Sequence, residues 1–179
     1  MRWSNPFSSR VPLDEQLAAE LRRGRPEAGR VLAVGAGPDG VVVVATQECL
    51  AIHRPHPTAD QQRWEFVGWH LISRGGWDRE TGRLRWTFVD QSSGSVVLTE
   101  AGSVPPVFRD RVQASIVVEQ VFPAPGGGHV VIAGRRQLAN QTSGLVWQVT
   151  TMGAARLSNP DVAEYVTLKT AQLKSDYEQ

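Results

Sequence analysis

Residues Trp64 to Asp90 read WEFVGWHLISRGGWDRETGRLRWTFVD and hold four of the six tryptophans in the chain. From Arg83 to Asp90 the residues alternate, with Leu84, Trp86 and Phe88 on one face and Arg83, Arg85 and Thr87 on the other. A period of two marks a half-buried strand. Asp78 to Gly82 is a polar connection, and Gly82 at its end is free to take a positive φ. Before it, Trp64, Phe66 and Ile72 share one parity and Val67, Trp69 and Leu71 the other, so both faces carry apolar groups. Either that strand is buried on both sides, or Gly68 or Gly75-Gly76 bends it and exchanges the faces. The stretch is therefore expected to form two strands closing on a turn, with the tryptophans building an aromatic core.

The totals set the class. A chain of 179 residues with 41% hydrophobic and 21% charged residues is sized for one compact domain, or one with a small annex. A formal net charge of +1 argues against a strongly electrostatic partner such as duplex DNA. Cys49 is the single cysteine, so one chain has no disulfide framework and a reducing compartment is expected. The start, MRWSNPFSSR, lacks the apolar run of a signal peptide, and the longest aliphatic run, Val41 to Ala45, is too short to span a membrane. The expected location is cytoplasmic.

Outward from the central stretch, residues 1 to 12 read as an irregular lead and Leu13 to Arg23 as a short helix stopped by Gly24. Val31 to Val34, Val41 to Ala45 and Cys49 to His53 read as strands, and the four consecutive valines suit a central place in a sheet. Ser95 to Leu98 adds a strand. Ser103 to Ala114 reads as a helix with Pro105 and Pro106 in its first turn, handing over to a strand from Ile116 to Phe122. Further strands are expected at His129 to Gln137 and Leu145 to Thr151. A closing helix starts at Asn159-Pro160-Asp161 and runs to about Asp176, with Val162, Tyr165, Val166 and Leu173 as its apolar stripe. Residues 13 to 122 are expected to form the main β domain, and 123 to 179 to extend the same unit.

Several motifs invite chemistry. Gly35 to Gly40 matches GxGxxG, but valines come next where a dinucleotide fingerprint needs a helix, and Pro38-Asp39-Gly40 is turn chemistry. Cys49, His53 and His56 suggest a metal site, yet Pro55 intervenes and no further ligand is near in sequence. The histidines are scattered, Asp78 and Glu80 suit a turn better than an acid–base pair, and Gly126 to Gly128 lacks the Lys-Ser/Thr of a phosphate loop. Neither a cofactor nor a metal is expected. The candidate partner- or anion-binding residues are Arg109 and Arg111 on the second helix and Arg135 and Arg136 at a strand end, because guanidinium groups recognise carboxylates and phosphates. Ion pairing with Asp110, Glu119 or Glu100 is the competing explanation.

Taken together, RVLAVG at Arg30 to Gly35, VVATQECL at Val43 to Leu50, WEFV and GGWD, FRDRVQASIVV at Phe108 to Val118, Arg135-Arg136 and the strand around Trp147 resemble an uncharacterised actinobacterial family with a pleckstrin-homology-like domain. The match runs from about residue 20, and it departs from the family at GAARLSNPD (153–161), where the family has an acidic turn. The resemblance implies an α+β fold, mainly antiparallel: a pleckstrin-homology-like split barrel or sandwich with flanking helices and a C-terminal helix. It carries no established activity. The expected function is a non-enzymatic binding or adaptor protein that holds a protein or peptide partner on a sheet edge or in a helix–sheet groove. The rival is a small anionic ligand or enzyme site in a tryptophan-lined cavity.

Overall fold

A computed structural model describes residues 11–139 and 142–178. The part of the expected irregular lead before Val11 lies outside the described residues. The chain divides into two compact units, with the boundary between Ala114 and Ser115.

In the first unit, helix α1 (Glu15–Gly24) starts where Asp14 Oδ1 accepts the N–H groups of Gln16 (2.9 Å) and Leu17 (3.3 Å). Strands β1 (Val31–Ala36), β2 (Val42–Thr46), β3 (Cys49–His53) and β4 (Trp64–Gly68) form an antiparallel sheet in sequence order. The valine run is central in it, as its stickiness required, and every residue of β3 is buried. One sheet face packs against α1 through Val44, Ala51 and Leu21, flanked by Trp64 and Phe66. The GxGxxG segment is the β1–β2 turn, closed by Gly37 N–H donating to Val41 O (2.8 Å). Its first two glycines admit another chain segment. A Cβ on Gly37 would stand 2.4 Å from Val97 O, and one on Gly35 3.1 Å from Glu100 O. Glu100 O there accepts Ala36 N–H at 2.9 Å.

The Trp64–Asp90 stretch is not one hairpin. Its first strand, β4, belongs to the four-stranded sheet and ends at Gly68, where a Cβ would meet the His70 ring at 2.7 Å. A single tight turn over Trp69–Leu71 redirects the chain into a second antiparallel sheet. It consists of β5 (Ile72–Asp78), β6 (Arg83–Phe88) and β7 (Ser93–Val97), with β6 in the middle. Both parities meet within β4, where Trp64 and Phe66 pack beside Val44, Ala51 and Leu21 while Val67 is buried on the opposite face, and Ile72 opens the second sheet. Gly82 takes φ 60° at the β5–β6 turn. Helix α2 (Val104–Ala114) packs against β1, β2 and β5. Its Phe108 ring lies 5.9 Å from Trp69 and 6.5 Å from Trp86, centroid to centroid. Trp69 and Trp86 are buried, and Trp69 Nε1 donates to Thr46 O (3.1 Å). Truncating such a buried ring to alanine costs about 3–5 kcal/mol.

The second unit begins at Ser115. Strand β8 (Ile116–Pro123) pairs with β9 (His129–Arg135), and β9 with β10 (Val146–Met152), giving a separate three-stranded antiparallel sheet. Helix α3 (Pro160–Tyr177), capped by Asn159, lays Val162, Val166 and Leu173 against Val130, Ile132, Phe122 and Trp147. This is a core of its own. The strand beginning at Ile116 therefore belongs to the second unit, because its ladder partners are all in β9.

Candidate functional site

The four arginines singled out from the sequence divide between the units, Arg109 and Arg111 in the first and Arg135 and Arg136 in the second. Arg109 is exposed on α2, with Nε 3.7 Å from Asp110 Oδ1, the ion pair that a surface arginine would be expected to make. Arg111 lies toward Glu48, whose carboxyl is pushed up by burial while the Arg111 charge opposes that rise. Arg135 belongs to the second unit and is only 4% exposed. Its guanidinium donates to Ser115 Oγ (3.2 Å), and burial lowers its pKa against the field of Glu119. Beside it, Arg136 N–H donates to Ser115 O (2.8 Å), which ties the end of β9 to the start of the unit.

Cys49 and His53 sit at the two ends of buried β3. Burial pushes the Cys49 thiol up and holds His53 below the ordinary histidine value, with Arg63 adding to the latter. Among the described residues, no group of three or more His, Cys, Asp or Glu is placed to hold a metal ion. Trp64 stacks on Phe66, Trp147 bonds Glu178, and Trp69 and Trp86 fill the first core.

What the structure brings together is the edge of the second sheet. Strand β5 pairs with β6 on one side, and among the described residues no strand pairs with it on the other. Arg74, Gly75 and Gly76 in its middle are exposed. An unpaired strand offers outward-pointing N–H and C=O groups at every second residue. Charged side chains, bulges and prolines commonly blunt such an edge; β5 carries Arg74 and a register shift between Ile72 and Arg74, and beyond them its centre is two glycines.

Two grooves flank this edge. One, of about 810 Å³, runs between β5 and the start of α2, where Trp77 and Leu84 face Pro105, Phe108 and Arg109. Gly75 points into this side, since a Cβ on it would lie 2.5 Å from the Phe108 ring. The other groove, of about 610 Å³, crosses the outer face of β5, β6 and β7, lined by Arg74, Arg85, Thr87, Ser93 and Ser95 over the Gly76 and Gly94 backbone. Asp78 is the acid at its rim. Hydrogen bonds from Thr81 and Glu80 in the β5–β6 turn hold its carboxyl below the ordinary range. Of the two sequence candidates in the first unit, Arg109 lines the groove beside α2. Sequence reasoning marks Gly75-Gly76 as a bend and does not pick out Arg74 or Arg85. The signal present in the sequence is a glycine pair within a strand, which often marks close approach by another backbone.

No family model matches the sequence, and no curated protein or solved structure matches the chain. Among the described residues, no helix is long and apolar enough to cross a membrane.

Proposed function

We propose that the first unit is a pleckstrin-homology-like binding module that holds an extended peptide segment of a partner protein as an added strand on β5. The order of elements supports the fold reading: a four-stranded antiparallel meander, a three-stranded one, then a helix packed against strands of both. The resemblance implies two packed antiparallel sheets closed by a helix. The observation carrying the functional reading is the unpaired, glycine-centred edge of β5 running beside α2 in an 810 Å³ groove. Main-chain hydrogen bonds to such an edge supply affinity, and side-chain pockets on alternate residues supply specificity. This reading narrows the expected sheet edge or helix–sheet groove to one strand and one helix, which here adjoin.

The test is selection from a library of short random peptides displayed against the whole chain, then mapping of amide chemical shifts with a selected peptide. Shifts concentrated at Arg74–Asp78 and Ser103–Arg109, with new exchange protection on β5 amides, are expected. Binders that leave β5 unchanged and shift another surface would sink the reading.

A further inference from the structure

The two sides of β5 differ in chemistry, and that difference limits what an added strand can carry. Arg74 and Arg85 share the outer face: Arg74 Nε approaches Thr87 Oγ1 at 3.5 Å, and Thr87 lies two residues from Arg85 on the same strand. In the β5–β6 register Arg85 stands opposite Gly76, and nothing lies within 4 Å of the position that a Gly76 Cβ would take. No side chain at Gly76 therefore separates the Arg85 guanidinium from the open edge. Arg85 is weakly held, with its side chain 61% exposed and its Nη2 3.9 Å from Asp78 Oδ2. Arg74 makes no ion pair among the described residues. On the other side of the strand, Trp77, Pro105 and Phe108 present an apolar lining.

We infer, resting on the edge-pairing reading above, that the occupant of β5 is a partner segment whose acidic and apolar side chains alternate, the acids over Arg74 and Arg85 and the apolar groups toward α2. A strand added beside β5 lies about 4.8 Å away and sends successive side chains to opposite faces. Its outward residues are then cross-strand neighbours of Arg74 and Gly76, where opposite charges attract and a carboxylate meets a planar guanidinium fork. An acid directly opposite Asp78 is disfavoured, so the acids cluster toward the Arg74 end of the strand. Antiparallel pairing of β5 with β5 of a second copy about Gly76 would set each Arg74 opposite the other copy's Asp78 but would bring four arginines, Arg74 and Arg85 of each copy, to one face with only two Asp78 carboxylates, so a more acidic segment complements the face better.

Synthetic peptides alternating Glu with Val, Lys with Val, and Thr with Val test this by calorimetry and amide shifts on the whole chain. The Glu peptide is expected to bind at least about tenfold more tightly than the Thr peptide. It should weaken with added salt, and the Lys peptide should be the poorest ligand. The double variant Arg74→Gln, Arg85→Gln should erase the advantage of the Glu peptide while leaving the Thr peptide within about twofold. The double Arg→Lys variant should keep part of that advantage, which controls for folding. Equal affinity of Glu and Thr peptides at β5 would overturn the charge inference and leave the edge reading standing. If no peptide shifts the β5 amides, the edge reading fails and this inference with it. Self-association in sedimentation that protects β5 would replace the partner with a second copy.

Discussion

Gly75 and Gly76 are neighbours with opposite tolerance for a side chain. A Cβ at Gly75 meets the Phe108 ring at 2.5 Å and Arg85 O at 2.8 Å, whereas one at Gly76 meets nothing within 4 Å. Gly75→Ala is therefore expected to destabilise the first unit by about 1–3 kcal/mol, as overpacking does. Gly76→Ala should be neutral or stabilising by up to about 1 kcal/mol, because it removes freedom from the unfolded chain. Urea denaturation of the two variants decides this, and equal losses would contradict the placement of the ring. The histidines give a second prediction at this scale. Burial holds His53 and His70 below their ordinary value of 6.5, aided by Arg63 and Arg25 respectively. The unfolded chain then binds these protons more readily, so the stability they contribute is complete above about pH 6.5 and is lost as pH falls through their lower folded values. Glu48, raised above 4.5 by burial, opposes this trend as pH falls. In a Glu48→Gln background, denaturation midpoints should drop between about pH 7 and pH 5, and His53→Gln with His70→Gln should flatten that slope. A slope unchanged by the histidine substitutions would refute the assignment.

At the scale of elements, the β2–β3 hairpin turns on one hydroxyl. Thr46 Oγ1 donates to Cys49 O (2.9 Å) and accepts the N–H groups of Cys49 (3.0 Å) and Glu48 (3.2 Å), with the side chain fully buried. Thr46→Val keeps the volume and removes all three bonds, leaving buried backbone groups unpaired. It should cost about 1–3 kcal/mol, while Thr46→Ser should recover most of the loss because the hydroxyl returns. Denaturant midpoints of the two variants check this, and a Thr46→Val protein as stable as the parent would contradict it. The same scale explains the break in the tryptophan-rich stretch. Period-two patterning persists across Gly68, so the pattern alone continues the strand; the turn over Trp69–Leu71 places Trp69 beside Phe108 and opens the second sheet.

At the scale of the molecule, the two units own separate cores, and a cavity made in one reports on that one. Leu173 is 3% exposed on α3 and belongs to the cluster around Val130 and Ile132. Leu173→Ala should cost about 2–5 kcal/mol. Hydrogen exchange should accelerate in β8, β9 and β10, with protection in β2 and β3 retained. Loss of protection in all these strands together would mean that the chain unfolds as a single cooperative body.

Local patterning by itself determined most of the elements. The first helix to within two residues of its start, the central valines, the whole of β3, the Leu84–Trp86–Phe88 face and the Asn159 cap arise from periodicity, capping chemistry and turn residues that act within a few positions. Pattern also set aside the GxGxxG motif, since the valines after it cannot open a helix. Tertiary structure alone decided how strands are shared among sheets: β4 parted from β5, and β8, β9 and β10 formed a sheet of their own. Strand pairing is a long-range choice that the alternation of a single strand does not encode. The site was hidden for the same reason. Arg74 and Arg85 are eleven positions apart by their numbering and become neighbours only through the β5–β6 register, and β5 becomes an edge only because the sheet stops there.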